Sequence, residues 1–108
     1  MPYVLGANGD IVAVLWSQRD PLVTPPAANR NNKILWVSKL AVSAGSNLDV
    51  TARQLVASTP VGAAQQRVVV GGPGPSAIDM PSAGCWQFTL SWSGHRDVVD
   101  LPYTGRSS

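Results

Sequence analysis

Trp86, Phe88, Leu90 and Trp92 alternate with Gln87, Thr89 and Ser91. A period of two places all four large side chains on one face of a strand and the polar ones on the other. So much aromatic and aliphatic surface on one face must lie on a core. Ser93-Gly94 follows as a turn signal. Residues 96–103 then return with Val98, Val99 and Leu101, which predicts a hairpin.

The rest of the chain repeats this rhythm. Asn8-Gly9-Asp10 is a turn signal ahead of the apolar run Ile11-Val12-Ala13-Val14-Leu15-Trp16. In 33–40, Ile34, Trp36 and Leu40 share one face while Leu35 and Val37 share the other, so both faces are apolar. A strand apolar on both faces is expected inside a sheet, not at its edge. Leu48, Val50 and Ala52 alternate with Asp49, Thr51 and Arg53, the half-buried pattern. Residues 66–70 form a further strand rich in Val, and Tyr3-Val4-Leu5 is a seventh if it pairs. The segment 55–66 carries the weakest pattern, and Ala63-Ala64-Gln65-Gln66 can form a helical turn. The chain of 108 residues contains no Glu and only two Lys. Both are strong helix formers. Its 10 Gly and 9 Pro are spread as turn punctuation. Parallel strands need long crossovers, so the expectation is one all-β domain over 1–108. It is an antiparallel sandwich of six to seven strands.

Several function classes fall away on composition. The net charge is +2 and the six Arg are scattered, whereas nucleic-acid binding uses a clustered basic face. No apolar run approaches the ~20 residues of a membrane span, and no leader is read at the N-terminus. One His and one Cys fall short of a structural zinc set or a copper site. No cofactor motif is found: 68–74 lacks the Lys-Ser/Thr pair and following helix of a phosphate loop. Cys85 lacks an adjacent cation to activate it, and reads as a packing residue. Trp36, Trp86 and Trp92 sit on apolar strand faces, whereas Trp16 ends its strand. His95, in Gly94-His95-Arg96-Asp97, reads as a turn residue. A small hydrolase using His95 and loop residues is the alternative to a non-catalytic module.

Lys33-Ile34-Leu35-Trp36-Val37, Gly74-Pro75-Ser76 and Pro81-Ser82-Ala83-Gly84-Cys85-Trp86 resemble a pattern of uncharacterised bacterial, actinobacterial-type envelope and lipoprotein-like proteins. The shared element is Pro-x-x-Gly-Cys-Trp. The resemblance covers about residues 33–103. It implies an immunoglobulin-like sandwich outside the cytoplasm, and no reaction. The leader and lipid-accepting cysteine of such proteins are missing here.

With immunoglobulin-like strand order, the strand from Lys33 neighbours the strand from Cys85. That order brings the loop 17–32 beside the Ser93-Gly94-His95 turn. Arg19, Asp20, Arg30, His95 and Arg96 would converge there, with Trp16 and Trp92 beneath. Arg and Trp at a loop end are the composition of a recognition surface. The expected function is a non-catalytic extracytoplasmic module that binds another protein or an envelope polymer.

Overall fold

The computed structural model describes residues 3–15, 22–24, 32–43 and 45–105. Its strands are β1 (Tyr3–Leu5), β2 (Ile11–Leu15), β3 (Val23–Thr24), β4 (Lys33–Ser38), β5 (Leu48–Val56), β6 (Thr59–Val69), β7 (Pro75–Ala77), β8 (Gly84–Trp92) and β9 (His95–Gly105). No helix occurs among the described residues. One sheet has the order β1-β2-β4-β7, the other β3-β9-β8-β5-β6. Every pairing is antiparallel except that of the two-residue β3, which runs parallel to the end of β9. The thinnest extent of the molecule is 21 Å, which fits two layers packed about 10 Å apart with their outer side chains. The all-β, sandwich-like expectation holds.

The core forms where the alternation pointed. Trp86, Phe88, Leu90 and Trp92 are buried on β8, beside Val99, Leu101 and Tyr103 on β9 and Leu48, Val50 and Ala52 on β5. The four-stranded sheet contributes Ile11, Ala13, Leu15, Ile34 and Trp36. Trp36 meets Phe88 across the layers with ring centroids 6.1 Å apart, and Phe88 stacks on Tyr103 at 6.3 Å. The segment 78–83 crosses from one sheet to the other and adds Ile78 and Met80 to the core. It is tied to the five-stranded sheet by two side chains. The Tyr103 hydroxyl donates to the Ile78 carbonyl at 2.8 Å, and the Trp86 indole N–H donates to that of Ser82 at 2.9 Å. Burial, with the Asp79 carboxylate nearby, pushes the Tyr103 phenol far above its usual range, so it stays a neutral donor.

Three expectations are corrected. First, the segment 63–66 is strand, not a helical turn: β5 and β6 form a long hairpin closed at Ala57-Ser58. A type I′ two-residue turn needs positive φ at both positions, and here Ala57 (51°) and Ser58 (68°) supply it without glycine. The sequence therefore lacks the usual turn signal. A bulge interrupts the same hairpin, with Arg53 opposite 62–64 and Gly62 at φ 75°. Exchanging Ser58 for Gly relieves left-handed strain and is expected to stabilise the domain by about 0.5–1 kcal/mol. A urea midpoint unchanged or lower than wild type would contradict that.

Second, the strands from Lys33 and Cys85 are not neighbours. β4 pairs with β2 and β7, whereas β8 pairs with β5 and β9. The strands are sorted by their outward residues. Gln87, Thr89 and Ser91 of β8 stand beside Thr51 and Arg53 of β5, while the doubly apolar β4 stands beside the doubly apolar β2. β4 is interior to its sheet, as its pattern implied.

Third, the loop 17–32 does not meet the His95 turn where it is described. Leu22 accepts a bond from the Thr104 amide, and Thr24 lies opposite Gly105. That is the far end of β9, about 30 Å from His95 at the usual strand rise. Trp92 is core, as its strand face indicated, and at 2% exposed it does not line the expected loop-end surface.

Candidate functional site

The expected site separates into parts. Arg19, Asp20, Arg30 and Trp16 lie outside the described residues. His95 remains at its turn, half-buried, and donates from Nε2 to the Ala41 carbonyl at 2.9 Å. Its ring stands edge-on to Trp92 at 5.7 Å. The Trp92 indole N–H donates to Ser38 Oγ at 2.8 Å. These contacts fasten the β8–β9 turn to the segment after β4. The nearby Ser93 hydroxyl is taken up with the Ser43 amide and Ser46 Oγ. Arg96 is exposed and points from the polar face of β9. At the opposite end of β8, burial and then the Asp100 carboxylate raise the Cys85 thiol above its ordinary range, leaving little reactive thiolate at neutral pH. Among the described residues no group of three or more His, Cys, Asp or Glu side chains is placed to hold a metal. None of these residues forms a helix long and apolar enough to cross a membrane.

A different surface stands out. Strand register aligns Tyr3, Val14, Leu35 and Pro75 in one row across the outer face of the four-stranded sheet. Leu5, Val12 and Val37 make a second row, and Lys33 and Ala77 a third at the end of the sheet. Only Lys33 among these nine carries a charge. Tyr3 is 69% exposed, Leu5 58% and Val37 45%, so the face is open to solvent. No described strand packs on it. Two shallow depressions mark it, one of about 220 Å³ between Lys33, Pro75 and Ala77, the other of about 230 Å³ between Leu5, Val12, Val37 and Lys39.

The outer face of the five-stranded sheet is the opposite in character. It presents Asp49, Thr51, Arg53, Gln66, Gln87, Thr89, Ser91, Arg96 and Asp100, with Val68 and Val98 interrupting them. An antiparallel sandwich normally wets both outer faces. A contiguous apolar patch of several hundred Å² on one of them marks an interaction site. The signal was present in the sequence as the two apolar faces of residues 34–37 and the unbroken run from Ile11. Periodicity alone reads this as burial on both sides and does not say that one cover is missing.

One polar device holds the edge of this face. The Asp97 side chain, fully buried on β9, accepts from the Asn8 amide at 2.8 Å, the Asp10 amide at 3.0 Å and the Val98 amide at 2.8 Å. It thereby fixes the β1–β2 turn onto the other sheet. Gly6 is required beside it, because a Cβ there would collide with the carboxylate. Burial pushes the Asp97 carboxyl up, but these amides and that of Ile11 outweigh it and hold it below the ordinary carboxylate range.

Compared with known proteins, the chain matches no family model, no curated protein and no solved structure.

Proposed function

We propose that the chain is a non-catalytic binding module that recognises a protein surface through the outer face of its four-stranded sheet. The observation that carries this is the contrast between its two outer faces: one is apolar at eight of nine positions and exposed, the other mostly polar, with Val98 and Val68 among its polar side chains. A protein partner suits the face better than an envelope polymer. Its middle offers aliphatic side chains and, among the described residues, no hydrogen-bonding groups for sugars or peptide bridges and no Trp platform. An extracytoplasmic setting, as the resemblance implies, belongs to the same reading. The domain is immunoglobulin-like in the loose sense of two packed antiparallel sheets presenting a recognition surface.

A photo-crosslinking residue at Val37 in the full-length protein, expressed in its own host, is expected to give discrete protein adducts. The same group at Gln87 on the polar face is expected to give none. Adducts at Gln87 with none at Val37 would move the site to the other sheet.

A further inference from the structure

We infer that Asn8-Gly9 is a site of spontaneous deamidation, and that the Asp97 carboxylate keeps it closed by clamping the turn that carries it. The inference goes beyond the reading of the apolar face and does not depend on it. Among the Asn residues of the chain, only Asn8 is followed by Gly. Asn is thermally labile, because the backbone nitrogen of the next residue can attack its side-chain amide. A glycine in that place has no Cβ to shield the nitrogen. A Cβ on Gly9 would meet nothing within 4 Å, so neighbours do not crowd the reacting atoms either. Asn8 itself is exposed to water. Water is the one co-reactant the chemistry needs. The Gly9 nitrogen bonds to Asn8 Cγ, the Cγ–Nδ2 bond breaks, and Nδ2 leaves as ammonia with the Gly9 amide proton. A cyclic imide results. Water then opens it at either carbonyl, giving Asp or isoaspartate, in which the main chain runs through the side chain and is longer by a methylene.

The folded turn holds the reacting groups elsewhere. The Gly9 N–H donates to the Gly6 carbonyl at 2.9 Å, which keeps its proton in place. Asn8 Nδ2 donates to the Arg96 carbonyl at 3.3 Å, which directs the leaving group toward β9. The backbone amides on either side of Gly9, those of Asn8 and Asp10, both end on the Asp97 carboxylate, at 2.8 and 3.0 Å. Bringing the Gly9 nitrogen onto Cγ rotates the Asn8 backbone and breaks this set. Conversion therefore waits on a local opening of the turn, and the rarity of that opening sets its rate. Once formed, isoaspartate lengthens the chain between the two clamped amides, so both cannot return to Asp97 in register. The new carboxylate also places a like charge close to that of Asp97. The turn then stays open. β1 leads into it, so the pairing of Tyr3 and Leu5 with β2 loosens as well.

Incubation of the full chain at neutral pH, followed by peptide mapping with enzymatic isoaspartate methylation, tests this. Folded wild type is expected to convert Asn8 at least about tenfold more slowly than the same chain held unfolded in guanidinium. Asp97→Asn is expected to close most of that gap while still folded by circular dichroism. Trp36→Phe weakens the core without touching the turn, and is expected to convert as slowly as wild type. The converted fraction of wild type, separated by ion exchange, is expected to unfold at lower urea than fresh protein. Asn8→Gln, which does not cyclise readily, is expected to come through the same incubation unchanged. Equal rates for folded and unfolded wild type overturn the proposal, as does an Asp97→Asn rate equal to wild type or a converted fraction as stable as fresh protein. Equal acceleration in Trp36→Phe and Asp97→Asn would assign conversion to global unfolding and end the role of the clamp. No conversion in the unfolded chain would remove the site itself. If Asp97→Asn does not fold, amide hydrogen exchange in wild type decides. The Gly9 amide is then expected to be protected, and exchange at the rate of an unfolded chain overturns the clamp.

Discussion

Replacing Asp97 with Ala is expected to destabilise the domain by about 3–5 kcal/mol, because it strips three part-buried amides of their acceptor at once. The amides of Asn8, Asp10 and Val98 all point at this carboxylate, whose own side chain is fully buried. A domain of this size has roughly 5–15 kcal/mol in total, so the variant sits near the edge of folding at 37 °C. Asp97→Asn is expected to lose less, since its carbonyl keeps part of the acceptor capacity. The pH dependence has a definite sign. The folded carboxyl lies below its ordinary value, so its contribution is complete above the unfolded value, near pH 4, and is lost as pH falls through the lower folded one. Urea midpoints measured downward from pH 6 are therefore expected to fall more steeply below about pH 4 for wild type than for Asp97→Asn. Parallel curves for the two proteins would show that the carboxylate does not hold the turn.

Trp36→Ala is expected to be of similar size, about 3–5 kcal/mol, the usual range for deleting a fully buried Trp from a core. This side chain is 2% exposed, carries the contact from β4 to Phe88 across the layers, and donates from its indole N–H to Ser76 Oγ at 3.0 Å. Its loss opens a cavity between the sheets and removes a tie to β7. Trp36→Phe separates the two contributions: it keeps most of the ring volume and loses only the bond to Ser76, so about 1–2 kcal/mol is expected. Guanidinium unfolding followed by the remaining indoles measures both. A truncation that left stability within about 1 kcal/mol would mean the two sheets do not share this core.

Much of the fold is written locally. Alternation along 86–92 fixes which side chains face inward, because successive residues of a strand point to opposite faces whatever the strand lies beside. Ser93-Gly94 declares its own turn, and the two-sided apolarity of 34–37 declares an interior strand. Ala57-Ser58 does not declare its turn, because its two residues reach positive φ only under the pull of the strands they join. The Pro75–Ala77 strand is equally silent, being three residues that pair only because β4 offers an edge.

What the sequence by itself determined is the all-β class, and the inward faces and outward polarity of the strands whose alternation is clear. What only the tertiary structure decided is which strands share a sheet, and therefore where those outward faces collect. Strand pairing joins residues far apart in the chain through backbone bonds that carry no side-chain label. The expected neighbourhood of Lys33 and Cys85 was therefore as consistent with local pattern as the one that forms. The observed pairing gathers the apolar outward residues of β1, β2, β4 and β7 onto one sheet and most of the polar ones onto the other. It also carries Leu22–Thr24 to the far end of β9 from His95. The candidate surface moves with it, from a cluster of loop charges to a sheet face, because contiguity across four strands arises only after they are side by side.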